Sequence, residues 1–239
     1  MTKVPATYVG GELHLFAQAQ NWKQYWGETV RQFISGSVLE VGAGIGGTTA
    51  HLCTGTEREW LCLEPDPTMV DTLRKRIAAG DLPRNCRAVT GAILDLEPDR
   101  RFDTIVYADV LEHIDDDAAE LAIASQRLSA GGNLIVLAPA YQFLFSPFDE
   151  SIGHYRRYDR GSLLKLQPAG LQVQVAFYLD CAGLMASLAN RLLLRQSMPT
   201  QVQIRVWDSY LVPISRRIDG VFGRSIGKTI VVVWRRPLA

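Results

Sequence analysis

The chain has 239 residues, 47% of them hydrophobic, and 25 Lys/Arg balance 25 Asp/Glu to a net charge of zero. That composition suits one α/β domain with a substantial core and excludes a disordered chain and a bulk nucleic-acid binder. The balance hides an asymmetry: residues 1–155 hold 12 Lys/Arg against 21 Asp/Glu, a net −9, whereas residues 156–239 hold 13 against 4, a net +9.

Met1 to Glu12 contain no continuous apolar run, so no secretory signal is expected. From Glu12 to Ile34, Leu13, Phe16, Trp22, Tyr25, Trp26, Val30 and Phe33 recur at helical spacing. The spacing predicts an N-terminal helical segment over 12–35. Tyr25 and Trp26 are expected in the core, with the lining of a ligand lid as the other use of the same stripe.

Val38, Leu39 and Val41 then predict a short buried strand, and Thr48 to Leu52 the start of a helix. The turn between them, Gly42-Ala43-Gly44-Ile45-Gly46-Gly47, lets backbone approach a ligand with no Cβ in the way. Strand, glycine turn and helix N-terminus together present free N–H groups to a nucleotide-like ligand. Gly42, Gly44 and Gly47 fit the dinucleotide pattern G-x-G-x-x-G, and Glu64 lies where a ribose-binding acid would stand. Glu40 shifts the balance. A carboxylate two residues before the first glycine would repel a pyrophosphate but suits a ligand carrying an ammonium and a sulfonium.

In Val38-Leu39-Glu40-Val41-Gly42-Ala43-Gly44-Ile45-Gly46 the sequence resembles the first motif of the class I S-adenosylmethionine-dependent methyltransferases. The resemblance implies a Rossmann-like, doubly wound seven-stranded sheet whose last strand is antiparallel. It also implies S-adenosyl-L-methionine as cofactor, with Glu40, Gly42, Ala43 and Gly44 around its amino-acid end. The helical segment over 12–35 would be the lid that folds over it.

Trp60 to Leu63 predict the second strand, tipped by Glu64-Pro65-Asp66-Pro67. A carboxylate there can accept from both hydroxyls of a ribose, having two acceptor oxygens and no donor. The resemblance assigns that role to Glu64, with Pro65 beside it. Met69 to Ala79 predict a helix stopped by Gly80, and Cys86 to Thr90 a third strand. In Gly91-Ala92-Ile93-Leu94-Asp95-Leu96, many members of the resembled family carry an acid for the adenine amino group where Ala92 stands. Adenine recognition would then fall to backbone groups at Ala92 and Ile93.

Phe102 to Asp109 predict the fourth strand, leading into Val110-Leu111-Glu112-His113-Ile114. This stretch resembles the fourth-strand motif of small-molecule methyltransferases of the ubiquinone-biosynthesis type. By that resemblance Asp109 and Val110 border the methionine moiety and the methyl group. Asp115 to Asp117 complement the dipole of the next helix, expected from Ala118 to about Leu128. Gly131-Gly132 predict a turn into a fifth strand over Asn133 to Ala138. Leu171 to Tyr178 and Gly227 to Trp234 predict the sixth and seventh.

Residues 141–160 are too long for an idle connection and hold aromatics, His154, three arginines and three acids, which predicts a substrate loop. Residues 182–225 predict a helical cap, with Leu184, Leu188, Leu192 and Val206 as an apolar roof. His113 and His154 are the candidate catalytic bases, since imidazole takes a proton near neutral pH. Each has a structural alternative: His113 bonding backbone at the helix entrance, His154 as a lid residue ordered by Asp149 or Glu150. Asp109-x-x-Glu112-His113 with His154 is also similar to the Mg²⁺-binding pattern of small-RNA 2′-O-methyltransferases. Glu-His after this strand is widespread in similar methyltransferases that use no metal, so no metal ligand is assigned.

Cys53, Cys62, Cys86 and Cys181 lack finger or redox spacing and are expected as buried reduced thiols, hence a cytoplasmic protein. The run Cys181 to Leu194 is broken by Asn190 and Arg191 and is too short for a bilayer span. The basic final third predicts an anionic or lipid-linked small-molecule acceptor, against solvated arginines on helix faces as the other reading. No nucleic-acid reading motif accompanies it, and oligomeric state is not legible. A nicotinamide-dependent oxidoreductase and a non-catalytic cofactor-binding subunit of the same fold remain as rivals to methyl transfer.

Overall fold

The computed structural model describes residues 16, 18–190 and 200–238. Leu13 and Leu192 lie outside them. Seven strands form one sheet in the order β3-β2-β1-β4-β5-β7-β6. Their bounds are β1 (Ser37–Val41), β2 (Glu59–Glu64), β3 (Cys86–Thr90), β4 (Phe102–Ala108), β5 (Leu128–Pro139), β6 (Gln172–Leu179) and β7 (Thr229–Arg235). β7 runs antiparallel to both β5 and β6, and the other pairs are parallel. The Rossmann-like order and the antiparallel last strand agree with the sequence reading.

Side chains on a strand alternate between faces, and β1 shows the consequence. Leu39 and Val41 enter one core with Leu61, Ile105, Tyr107 and Val136. Val38 enters the other with Trp60, Cys62, Val106 and Leu137. Helices cover both faces. On the Leu39 side Leu121 and Ala124 of α4 (Asp117–Gln126) close the core, with Leu163 of α6 (Arg160–Lys165). On the Val38 side stand Trp22, Tyr25 and Trp26 of α1 (Gln20–Val30), Leu52 of α2 (Thr49–Leu52) and Leu73 of α3 (Pro67–Ala79). Tyr25 and Trp26 are therefore core residues.

Among the described residues of the expected 12–35 segment, α1 spans Gln20–Val30, with Gln18 and Ala19 outside helical geometry and residues 12–15 and 17 not among those described. Its Ala19 cap has no side-chain acceptor for the first N–H groups. Asp208, 186 residues along, accepts from the Trp22 N–H at 2.9 Å and the Asn21 N–H at 3.2 Å. A carboxylate supplied from elsewhere thus does the work of an N-cap and complements the helix dipole.

β5 starts at Leu128, five residues before the expected Asn133. Gly131, at φ +78°, and Gly132 form an irregularity within the strand, where the register with β4 shifts between Phe102 and Thr104, instead of a turn before it. β7 starts at Thr229, two residues later than expected. Residues 141–160 contain α5 (Pro147–Ser151) and are tied down: the Tyr158 hydroxyl donates to Asp117 at 2.8 Å, and Arg156 pairs with the same carboxylate at 2.7 Å. In the helical segment α7 (Cys181–Ala189), α8 (Gln201–Val206) and α9 (Val212–Ile218), Leu184 is buried, but Val206 is 48% exposed and roofs nothing. It follows Arg205 on the outer face of a helix whose buried contact is Ile204.

Candidate functional site

From β1 the chain steps outward through β2 and β3, then returns to β4 on β1's other side. The carboxyl ends of β1 and β4 thus flank a topological switch point, where open α/β sheets bind ligands. Gly42 leaves β1 with φ +67°, and the N–H groups of Gly42 and Ala43 both donate to the Leu63 carbonyl, at 2.8 and 3.2 Å. A Cβ on Gly42 would stand 2.6 Å from Val110 Cγ2 beyond β4. The first glycine is thus required by its conformation and by Val110.

Glu64 ends β2 buried beneath this turn. Its Oε2 accepts from the Gly44 N–H at 2.8 Å and its Oε1 from the Asp66 N–H at 3.0 Å, so the acid fixes the glycine loop against the tip of β2. Burial raises its pKa against those two hydrogen bonds. Each oxygen retains a second lone pair for an incoming hydroxyl. Pro65, half-buried, follows it.

Glu40 lies deeper, 1% exposed. Its Oε2 accepts from Thr49 Oγ1 and from the Trp60 indole N–H, both at 2.7 Å. Oε1 has no hydrogen-bond partner among the described residues. Burial pushes this carboxyl up to about 7 against the two hydrogen bonds.

The Ala92 N–H is engaged by Asp95 Oδ2 at 2.7 Å, and the Ile93 side chain is in the core. A backbone contact from Ala92 to an adenine would have to displace Asp95, three residues on, which the sequence reading passed over. Lys23 is a second residue it missed. From α1 its Nζ reaches 2.8 Å from where a Cβ on Gly47 would be, placing an ammonium over the glycine loop. Burial chiefly, and Arg76 next, lower its pKa. Its only sequence signal is a cation within the aromatic stripe of a core helix.

The other half of the crevice follows β4. Asp109, at φ +54°, is exposed at its edge, within reach of the charges of Lys228, Arg157 and Lys23. Glu112 is fully buried, and neither carboxylate oxygen has a hydrogen-bond partner among the described residues. Its pKa is raised well above the ordinary range by burial and then by Asp109. His113 and His154 meet edge to face, ring centroids 4.5 Å apart. Burial lowers His113 to about 4, so it is neutral at physiological pH. His154 Nδ1 lies 3.0 Å from Asp149 Oδ1, and its Nε2 3.8 Å from Glu112 Oε1. Arg157 grips Asp149 through Nε and Nη2 at 2.9 and 3.0 Å, and those partners hold the Asp149 carboxyl down at about 2 against its burial.

The structure therefore brings the predicted residues into two groups on one crevice. Glu40, Gly42, Ala43, Gly44, Glu64 and Pro65 surround the glycine turn, with Val110 against Gly42, while Asp109, Glu112, His113 and His154 lie at the end of β4. The first group can hold a ligand bearing hydroxyls and positive charge. The second presents two imidazoles and two carboxylates to whatever enters beside it.

Residues 39–134 match the family model described as a methyltransferase domain. Over 182 residues the chain is 26% identical to an ajmaline N-methyltransferase of Rauvolfia serpentina, covering 75% of this chain and 57% of that protein. The chain thus spans little more than half the length of that relative. An S-adenosylmethionine-dependent methyltransferase from Clostridium acetobutylicum superposes with a TM-score of 0.60 at 14% identity, over 94% of this chain and 97% of the other. A [4+2]-cyclase superposes with a TM-score of 0.63 at 15% identity, over 90% and 81%. The fold is that of the class I methyltransferases.

Proposed function

We propose that this chain, a class I methyltransferase by its fold and by the domain over residues 39–134, moves a methyl group from S-adenosyl-L-methionine to a small-molecule acceptor. The observation that carries the reading is the pair of buried acids flanking the glycine turn, Glu64 bonded to the Gly44 N–H and Glu40 with one oxygen unpartnered among the described residues. Glu64 is suited to ribose hydroxyls. Negative charge at Glu40 favours a cationic ligand and disfavours the pyrophosphate of a nicotinamide cofactor.

The cofactor supplies an activated methyl on a sulfonium, so the protein's task is chiefly alignment. Gly42, Ala43 and Gly44 provide close backbone approach, Lys23 an ammonium above the loop, and Asp109 and Val110 the wall beside the transferring group. His113 and His154 serve the acceptor's side of the crevice, the loop 141–160 carries His154, and the segment 182–225 caps the single domain 1–239.

The acceptor is anionic or lipid-linked on this reading. Met185, Val202, Tyr210, Val221 and Phe222 are exposed in the helical segment that also carries Arg205, Arg216 and Arg217. Exposed apolar side chains on a segment that also carries arginines suit an anionic lipid surface. No helix among the described residues is long and apolar enough to cross a membrane, and the four cysteines are buried and free, in keeping with a cytoplasmic site of action.

Calorimetric titration with S-adenosylhomocysteine and NADH, side by side, tests the cofactor. Micromolar binding of the first alone is expected, and binding of NADH alone would reverse the assignment. Incubating lipid and aqueous cell extracts with methyl-labelled cofactor then identifies the acceptor by mass spectrometry. Cofactor binding with no label transferred to either extract would assign a binding subunit instead.

A further inference from the structure

We propose that Lys228 is a specificity-determining residue of the acceptor site, where its ammonium binds a carboxylate or phosphate group of the molecule to be methylated. This inference deepens the methyltransferase reading and rests on it, since that reading makes the bearer of the anion a methyl acceptor. Lys228 immediately precedes β7, which runs antiparallel to β5, so it stands at the carboxyl end of the parallel strands. That is the end at which Asp109 leaves β4.

The backbone fixes where this side chain starts. The Lys228 N–H donates to the Asp180 carbonyl at 3.0 Å, and its own carbonyl accepts from the Ala140 N–H at 2.8 Å. Gly227 before it packs so tightly that a Cβ there would collide with the Leu179 carbonyl. Trp207, the first residue of a π-helical turn (Trp207–Leu211), forms one wall, its ring centroid 4.7 Å from Lys228 Nζ. Turns of this kind are concentrated at functional sites. The indole is itself held, its N–H donating to Asp180 Oδ2 at 2.7 Å.

What the ammonium lacks is an acceptor. It is half-buried, and among the described residues it makes neither an ion pair nor a hydrogen bond. Three acids act on it through their charge, Asp180, Asp109 and Asp149. Asp180 is committed to Trp207, Gly183 and Ser215, and Asp149 to Arg157, His154 and Ser146. Asp109 is exposed at the end of β4. A lysine kept for stability would pair with one of the three; this one pairs with none. Burial lowers its pKa, Asp180 opposes that, and Arg157 adds a second positive charge nearby. An ammonium has three donors, and withdrawing it from water with those donors unspent is costly. The face of Trp207 offsets only part of that cost. An oxyanion entering between the helical segment, the loop 141–160 and the end of β4 would take up those donors in charge-assisted hydrogen bonds. A neutral carbonyl would leave the charge unanswered.

The test uses the full chain carrying ¹³C at lysine Cε, followed by NMR with and without S-adenosylhomocysteine. The chain has five lysines, and Lys228→Arg removes one signal and so assigns it while keeping a cation in place. Inorganic phosphate and acetate, titrated separately, are the probes. The Lys228 signal should move saturably with at least one of them, while those of the exposed Lys75 and Lys165 only drift with ionic strength. Tighter saturation by phosphate assigns a phosphate-bearing acceptor, a lipid headgroup included; tighter saturation by acetate assigns a carboxylate. A Lys228 signal that drifts as Lys75 does, or stays still while Lys23 saturates, overturns the site. Lys228→Met should slow label transfer into cell extract at least about tenfold, the loss of one hydrogen bond to a charged group, and Lys228→Arg should restore part of it. Transfer by the methionine variant at the full rate also overturns the site; should that variant misfold, the wild-type NMR titration decides. The two readings fail separately. S-adenosylhomocysteine bound with Lys228 silent to both anions sinks the anion site alone. A saturable Lys228 response in protein that binds no S-adenosylhomocysteine sinks the methyltransferase reading alone.

Discussion

The crevice and the helical segment 180–222 both bury carboxylates, but only the crevice leaves some of them short of partners among the described residues. In the helical segment every buried acid is saturated. Asp180 Oδ1 accepts from the Gly183 N–H and Ser215 Oγ, and its Oδ2 from the Trp207 indole. Asp219 accepts from the Tyr25 hydroxyl and from the N–H groups of Asp180 and Cys181. In the crevice Glu64 and Asp149 are satisfied too, but among the described residues one oxygen of Glu40 and both of Glu112 have no hydrogen-bond partner. Satisfied acids hold elements together, whereas unsatisfied ones lower stability until something fills the gap. The contrast sets Glu40 and Glu112 apart from the scaffold acids without reference to any motif.

The largest expected effect lies on the scaffold side. Asp219→Ala strands a hydroxyl and two N–H groups in the interior and should cost on the order of 4 kcal/mol, with a fall in Tm of roughly 10 °C by calorimetry. A change within 2 °C would remove the distinction between the two regions. Gly42→Ala comes next. Its methyl would meet Val110 at 2.6 Å in a left-handed conformation, for a loss of about 2–3 kcal/mol in denaturant titration together with loss of cofactor binding.

A pH effect of smaller size tests Glu40. Its carboxyl is held up at about 7, so below that pH the free protein carries a proton there, and a cationic ligand must expel it. Affinity for S-adenosylmethionine should therefore rise about tenfold from pH 6 to pH 8 and level off above, a shift of about 1.4 kcal/mol. S-adenosylhomocysteine, which keeps the same ammonium, should show the same dependence, and affinities for both that do not change with pH would release Glu40 from the cofactor. The smallest effect belongs to Glu112→Gln. It should change stability by less than about 1 kcal/mol by denaturant titration, because burial already disfavours charge there and neither oxygen has a hydrogen-bond partner among the described residues to lose.

The glycine turn, the strand order and the acid at the tip of β2 were legible because their signals are local: apolar runs, glycines and a carboxylate at fixed short spacing. The same reliance on local signals misplaced the start of β5, where Gly131-Gly132 reads as a turn but is accommodated inside a strand by a register shift with β4. His154 could be named as a candidate, yet its approach to Glu112, 42 residues away, is created by the path of the loop over the end of β4. Lys23 and Asp208 were invisible in their roles for a related reason. Each acts on a partner brought close only by the finished sheet, and nothing in the neighbouring residues marks it.

The grip of Asp208 on α1 has a consequence for the order in which the protein is made. The helix that leans over the glycine loop leaves the ribosome early, but the carboxylate that secures its first turn is synthesised more than 180 residues later. A nascent chain can therefore assemble β1 to β5 while that wall is still undocked. The first turn of that helix gains its acceptor only once the segment bearing Asp208 has folded against it.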